Sequence, residues 1–250
     1  MIVIKTEHEL EIMREAAKVT AHILDEMMET IIRPGITTAA IDRFVEAEIR
    51  KYHMIPAFKG YGGFPASICA SVNNTIVHGI PSSRKLVEGD IISVDTGTIY
   101  KGYYSDAART YPVGEISDEA AKLIRVTRES FFKGIEHAKV GNRLGDISHA
   151  VQLHAESNGF SVVKEFVGHG IGSNMHEAPQ IPNYGPAGRG PRLAKGMVLA
   201  IEPMINAGTD ACEVLEDEWT TITLDGKYSA HYENTVVITD GEPEILTILK

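Results

Sequence analysis

The chain has 250 residues, of which 43% are apolar and 23% are charged, and its formal net charge is −10. This composition suits a large globular protein, and the acidic balance argues against a nucleic-acid binder, which usually carries a basic face. The two cysteines form neither a disulfide framework nor a CxxC pair, and charges from Lys5 onward are atypical of a signal peptide. No apolar run has the length of a membrane span. We therefore expect a cytoplasmic protein that binds neither membranes nor nucleic acids.

The first part of the chain predicts two helices followed by strands. Thr6 opens a capping-box pattern, and apolar residues recur at helical spacing until Pro34-Gly35 ends the run. The further elements predicted here are a helix over 38–52 and strands over 66–72, 75–77, 89–95 and 103–113.

The second part repeats this plan, with helices predicted over 117–137 and 145–157. Residues 85–95 match residues 192–202 at a shift of 107, and Gly35 matches Gly141 at a shift of 106. Such a repeat predicts one domain over 1–250, built from halves of about 1–115 and 116–250. The order of helices and then strands, twice over, favours an α+β fold with one antiparallel-rich sheet and helices on one face.

Each half carries acidic residues at two corresponding places. Asp95 matches Glu202, and Asp106 matches Glu233 at a shift of 127. Side chains alternate along a strand, so Asp95 and Glu202 occupy equivalent faces of their strands. Asp95 and Asp106 are centred on the turn at residues 100–101, and a hairpin there would place their carboxylates roughly opposite each other.

Two histidines, His169 and His176, stand seven residues apart with Gly170 and Gly172 between them. These glycines argue against a helix. A strand leading into a tight loop fits better, and it would turn both imidazoles into one pocket.

Four carboxylates cannot share a pocket without compensation, because like charges would keep some of them protonated. Two divalent cations would balance them, and bridging carboxylates are typical of two-metal hydrolytic sites. One imidazole among oxygen donors suits Mn, Fe, Co or Zn better than Ca or Mg. Each acid alone would be read as a surface salt-bridge partner, but four of them in this pattern with His169 favour a metal site.

The motif HGIGxxxHExP at His169–Pro179, together with these carboxylates, resembles the two-metal pita-bread metallopeptidases. The resemblance covers essentially the whole chain. It is closest to the short, bacterial type I methionine aminopeptidases, because of His78-Gly79-Ile80-Pro81, Asn73, Cys69 and Trp219-Thr220. It implies a pita-bread fold of two pseudo-symmetric helix–helix–strand–strand halves in one catalytic metallopeptidase domain. It also implies hydrolytic removal of the N-terminal methionine from nascent polypeptides, with a preference for a small second residue.

The resemblance assigns roles to individual residues of this chain. The implied ligands of two divalent cations (Co, Mn, Fe or Zn) are Asp95, Asp106, His169, Glu202 and Glu233. Asp106 and Glu233 would bridge both cations, and Glu202 would also move a proton. His78 and His176 would flank the substrate as catalytic imidazoles. The implied lining of the methionine pocket is Tyr61, Phe64, Cys69, Met175 and Trp219.

The chain departs from the family pattern at two positions, with His231 in place of the usual Gln and Asn234 in place of the usual His. On a strand, His231 would face the same side as Glu233. The hypothesis is a hydrogen bond from His231 that orients a metal-binding carboxylate, and the alternative is a merely packed or solvated histidine.

Two other functions remain open at this stage. One is an X-Pro-cleaving peptidase of the same superfamily, and the other is a non-catalytic binding paralogue. The expected partners are the N-termini of nascent polypeptides, with the ribosome left open and a monomer as the default state.

Overall fold

The computed structural model describes residues 1–249. The helices in this range are α1 (Glu7–His22), α2 (Met28–Ile31), α3 (Thr38–Lys51), α4 (Asp118–Ile135) and α5 (Leu144–Ser157). The predicted helices and the capping box at Thr6 are confirmed, since Thr6 Oγ1 accepts from Glu9 N while Glu9 Oε2 accepts from Thr6 N. Within residues 1–249, no helix is both long enough and apolar enough to cross a bilayer.

The first predicted helix contains one π-helical turn, Ile23–Met27, between α1 and α2. In this turn Asp25 accepts hydrogen bonds from Arg109 Nε at 3.0 Å and from Leu249 N at 3.2 Å. The turn therefore ties the first helical run to two distant parts of the chain.

Most strands belong to one large sheet. The strands within residues 1–249 are β1 (Ile55–Pro56), β2 (Ile68–Val72), β3 (Thr75–Val77), β4 (Ile91–Tyr100), β5 (Tyr103–Pro112), β6 (Ser161–Val162), β7 (Gly168–Gly170), β8 (Glu177–Ile181), β9 (Val198–Ile201), β10 (Met204–Asn206), β11 (Cys212–Val214), β12 (Thr221–Thr223), β13 (Ser229–His231), β14 (Glu233–Val237) and β15 (Glu244–Ile245). The large sheet has the order β1-β4-β5-β14-β9-β7-β8, with β2 paired to β4 and β15 to β14.

The pairings in the large sheet are antiparallel, as predicted. Two three-stranded sheets, β13-β10-β6 and β11-β12-β3, are additional to the prediction.

Helices cover one face of the large sheet. In the first half, Val94 of β4 packs in a cluster with buried side chains of α1 and α3. In the second half, Ile201 of β9 packs with buried side chains of α4 and α5. Because side chains alternate along a strand, Asp95 and Glu202 point away from these helices.

The two halves use corresponding backbone contacts. Isolated antiparallel bridges join Thr37 to Lys85 and Arg143 to Arg192, and these pairs are related by the sequence shifts of 106 and 107. The central strand order β4-β5-β14-β9 places the hairpin of the first half beside the strands of the second half. The division of the domain near residue 115 stays a prediction.

The register of the β4–β5 hairpin differs from the prediction by two residues. Asp95 pairs with Ala108, and Asp106 pairs with Gly97, so the two carboxylates are diagonal neighbours rather than opposite each other. The reason is the turn, which consists of Lys101 and Gly102 with φ of 46° and 84°. Two positive φ values are typical of the two-residue turns that suit strand twist. A slip of two residues preserves strand parity, so both carboxylates still share one face.

Arg109 is a buried clamp between the sheet and the chain segments around it. Its Nη1 donates to Glu233 O at 2.6 Å, and its Nη2 donates to Asn234 Oδ1 and Thr247 O at 2.9 Å each. Its Nε donates to Asp25. The same side chain therefore links the backbone at Glu233 to Asp25 and to the carbonyl of Thr247.

We expect Arg109→Met to lower the free energy of unfolding by roughly 3–5 kcal/mol, because the partly buried Asp25 carboxylate and several buried oxygen atoms lose their partner. The matched control is Arg125→Met, whose exposed pair with Glu129 contributes less than about 1 kcal/mol. Urea unfolding at pH 7 measures both. Equal effects of the two substitutions would contradict the assignment of Arg109 as a clamp.

Candidate metal centre

The carboxylates lie in two neighbouring rows that run across the strands of the large sheet. In the first row Asp95 pairs with Ala108, and Ala108 pairs with Glu233. Glu202 follows Ile201, the last paired residue of β9, and extends this row. Ala108 between the acids leaves space above the sheet.

The second row lies one pleat away on the same face. Thr235 joins Asp106 through two hydrogen bonds, accepting from Asp106 N at 3.1 Å and donating to Asp106 O at 2.8 Å. Thr235 pairs with Ala200, and Ala200 pairs with His169. The sheet therefore brings together all five residues predicted as metal ligands.

His169 presents a free lone pair to the carboxylates. Its Nδ1 donates to Gly170 O at 2.9 Å, so Nε2 of the neutral ring is the unprotonated nitrogen. Nε2 lies 3.9 Å from Asp106 Oδ2 and 3.7 Å from Glu202 Oε1. Burial, together with neighbouring His176, lowers the pKa of His169 to about 4, so the ring is neutral at physiological pH.

Removal from bulk water raises the pKa of every carboxyl group in the cluster. It raises the pKa of Asp95 to about 7 and the pKa of Glu202 to about 8. The pKa values of Asp106 and Glu233 are raised well above the usual range, first by burial and then by the neighbouring acids. These groups would be charged together only with a cation among them.

The residues present fit divalent cations. Asp106, His169 and Glu233 can offer ligand atoms within 4.8 Å of one another, and so can Glu202, His231 and Glu233. Asp95 stands beside the first group and raises the pKa of Asp106 by its charge. Among residues 1–249, Asp95 Oδ1, Asp106 Oδ1 and Glu233 Oε1 are buried without a hydrogen-bond partner. Unpartnered buried carboxylate oxygens are what a cation would satisfy.

A cavity of about 160 Å³ opens over the two rows. It is smaller than the roughly 300–1,000 Å³ of sites for drug-sized ligands, and so suits a single side chain. Its lining consists of Phe58, Tyr61, Phe64, Cys69, His78, Asp95, Asp106, His169, Met175, His176, Glu202, Trp219 and Glu233. These include every site residue predicted from the sequence except His231.

Phe58 lines the cavity but was missed by sequence reasoning. It lies in an irregular segment before Gly60, where side-chain direction follows no periodic pattern. His231 is buried beside the carboxylates instead, with Nε2 at 3.5 Å from Glu202 Oε2 and 3.9 Å from Glu233 Oε2.

Two further imidazoles flank the cavity. The ring centroid of His176 lies 4.3 Å from that of His169, and His176 Nδ1 lies 2.8 Å from the hydroxyl of Tyr61. His78 has its ring edge-on to Trp219 at 6.3 Å, and burial lowers its pKa to about 4. Both rings can therefore offer neutral N–H donors to a ligand.

The model of metallopeptidase family M24 matches residues 11–240. The chain belongs to metallopeptidase family M24. It is similar to a methionine aminopeptidase of Clostridium acetobutylicum, with 58% identity over 249 residues and 99% of both chains covered. The crystal structure of methionine aminopeptidase from Thermotoga maritima superposes with a TM-score of 0.97 at 49% identity, over 100% of both chains.

Prolidase from Pyrococcus furiosus superposes with a TM-score of 0.79 at 24% identity, covering 99% of this chain and 66% of that one. This second likeness shows a shared fold. Together with the first, it confirms the pita-bread fold and the resemblance predicted from the sequence.

In this member of family M24, the second glycine of HGIG makes room for a buried ion pair. Lys5 Nζ donates to Glu177 Oε2, and the two side chains are 2% and 5% exposed. A Cβ at Gly172 would lie 2.3 Å from Lys5 Cε and 2.6 Å from Glu177 Oε1. The pair thus fixes the loop 172–177, which carries Met175 and His176 into the cavity.

We expect Lys5→Met to loosen this loop, because the Glu177 carboxylate would stay buried without its cation. Hydrogen exchange of the amides in residues 172–177 should accelerate, and peptide hydrolysis should slow roughly 10–100-fold through displacement of His176. Bound metal should be unchanged. Lys18→Met, at an exposed lysine paired with Glu15, is the matched control. Unchanged exchange in the loop would contradict the role of Lys5.

The raised pKa values also predict how stability depends on pH. Asp95 and Glu202, with pKa values of about 7 and 8, bind more protons in the folded chain than in the unfolded one. The free energy of unfolding therefore falls as pH rises through these values. Buried histidines act oppositely, but only below their ordinary pKa of 6.5.

Between pH 7 and 9 we expect the Tm of the metal-free protein to fall by several degrees. Mn²⁺ should reverse the fall, because the cation replaces the lost protons. Glu202→Gln should reduce the slope. Differential scanning calorimetry measures all three, and a flat Tm in the metal-free protein would contradict the carboxylate assignment.

Proposed function

We propose that the chain removes the N-terminal methionine from proteins and peptides by hydrolysis of the first peptide bond. The main evidence for this function is a cavity that is sized for one side chain and lies directly above the five predicted ligand residues. The high identity to methionine aminopeptidases supports the same activity.

Asp95, Asp106, His169, Glu202 and Glu233 would hold two divalent cations. When bound, the cations lower the pKa of water and polarise the scissile carbonyl. The mixture of oxygen donors with imidazole favours Co, Mn, Fe or Zn over Mg.

Glu202 is the proposed proton carrier. It is half-buried at the cavity floor, between His169 and His231, and its carboxyl can accept a proton from the attacking water. The same carboxyl then donates this proton to the leaving amine nitrogen.

His78 and His176 are the proposed donors to the substrate. When the Tyr61 hydroxyl donates to Nδ1 of His176, Nε2–H is left to stabilise the oxyanion of the tetrahedral intermediate. His78, on the other side of the cavity, hydrogen-bonds the substrate amide. The proposal includes a preference for a small second residue.

The proposed pocket for the methionine side chain is lined by Phe58, Tyr61, Phe64, Cys69, Met175 and Trp219. Aromatic rings and sulfur atoms are favourable neighbours for a thioether. Phe64, Cys69 and Met175 are each less than 5% exposed, which keeps water from the apolar end. The acidic end takes the free α-amino group, which restricts the reaction to chain termini.

We propose that the substrates are the N-termini of nascent polypeptides in the cytoplasm. The enzyme would encounter these N-termini at the ribosome. The enzyme is proposed to act as a monomer.

Hydrolysis of Met-Ala-Ser and Ala-Pro-Ala by protein loaded with Co²⁺ or Mn²⁺ tests this function. We expect free methionine from the first peptide and no cleavage of the second. A chelator and His169→Ala should each abolish the release, whereas His149→Ala, at an exposed histidine of α5, should not.

Cleavage of the proline peptide instead would keep the metal centre and overturn the substrate. No cleavage of either peptide, with metal bound, would indicate a binding protein.

A further inference from the structure

His231 is a second buried imidazole at the carboxylate cluster. It ends β13 and is 2% exposed. Its backbone N donates to Thr110 Oγ1 at 2.9 Å, and its carbonyl accepts from the same hydroxyl at 2.8 Å. Its Cα is also paired with that of Met204 on β10. The backbone that carries this ring is thus held from two sides.

The ring nitrogen that faces the acids has no partner among residues 1–249. This atom, Nε2, is buried and makes no hydrogen bond there. It lies 3.5 Å from Glu202 Oε2 and 3.9 Å from Glu233 Oε2. Charge-assisted hydrogen bonds are shorter, at about 2.7–2.9 Å. The geometry is therefore not that of a histidine orienting a carboxylate through a direct hydrogen bond.

These separations of 3.5 and 3.9 Å lie between the two spacings that donors sharing a cation adopt. A cation about 2.1 Å from each donor sets neighbouring donors roughly 3.0–3.4 Å apart and opposite donors about 4.2 Å apart. His169 shows the same spacing, with Nε2 at 3.7 Å from Glu202 Oε1 and 3.9 Å from Asp106 Oδ2. Glu202 thus offers one oxygen to each imidazole, and Glu233 belongs to both groups of candidate donors.

We propose that His231 Nε2 is a direct ligand of the second cation, together with Glu202 and Glu233, so that each cation of the pair has one imidazole. This inference rests on the two-cation centre of the proposed function, and it adds a sixth ligand to that centre. A nitrogen donor strengthens binding of Co, Fe or Zn relative to Mg. The second site should therefore discriminate against Mg²⁺ more strongly than an all-oxygen site.

X-ray absorption at the cobalt edge tests the assignment on the full chain loaded with two equivalents of Co²⁺. Outer-shell scattering from imidazole should correspond to one ring per cobalt in the wild type and to half a ring in His231→Gln. Glutamine keeps a polar side chain at this position but removes the ring nitrogen. His149→Gln, at an exposed histidine of α5, should retain one ring per cobalt.

Equilibrium dialysis gives a second readout. His231→Gln should weaken binding of the second Co²⁺ by at least about tenfold while leaving the first unchanged. A merely orienting histidine could also weaken binding, so the imidazole count decides between the two roles. Half a ring per cobalt in the wild type, or an unchanged count in His231→Gln, would overturn the proposal.

The number of imidazole rings per cobalt in the wild type tests the proposal even if His231→Gln does not fold. Methionine release is assayed separately on the same cobalt-loaded protein. An active wild type with half a ring per cobalt would overturn the role of His231 alone. An inactive wild type with one ring per cobalt would overturn the proposed function alone.

Discussion

Four carboxyl groups, those of Asp95, Asp106, Glu202 and Glu233, are held against one another on one face of a β-sheet. Charged carboxylates in such surroundings lose their hydration and repel each other. Both effects raise the pKa values of Asp106 and Glu233. The sheet nevertheless fixes them, because the register of its paired strands places them side by side. The opposite face packs against the helices and contributes the hydrophobic stabilisation on which the unfavourable site depends.

The chemistry beside this cluster depends on how rigidly the surrounding chain is held. Arg109 fixes the backbone at Glu233, and Lys5 fixes the loop that carries His176. The N-terminal segment and the residues near the C-terminus therefore both act on the site, although neither lines the cavity.

Strand parity and the internal repeat predicted most of this centre, because both depend only on residue spacing. Asp95 and Glu202 end the matching segments 85–95 and 192–202, and a period of two fixes the face that they occupy. The hairpin register was wrong by two residues because it depends on the positive φ of Lys101, which is rare outside glycine and not encoded by the pattern. Phe58 could not be found because its direction follows the path of an irregular segment. For His231, parity gave the face, whereas only the distances to Glu202 and Glu233 distinguish a ligand from an orienting residue.

Cations are expected to take the place of protons among the four carboxylates. Titration calorimetry of the metal-free protein with Mn²⁺ at pH 7, in buffers of different ionisation enthalpy, measures this exchange directly. Binding should release protons, and fewer at pH 9 than at pH 7, because the carboxyl groups are already ionised at the higher pH. Binding without proton release at pH 7, or with proton uptake, would contradict it.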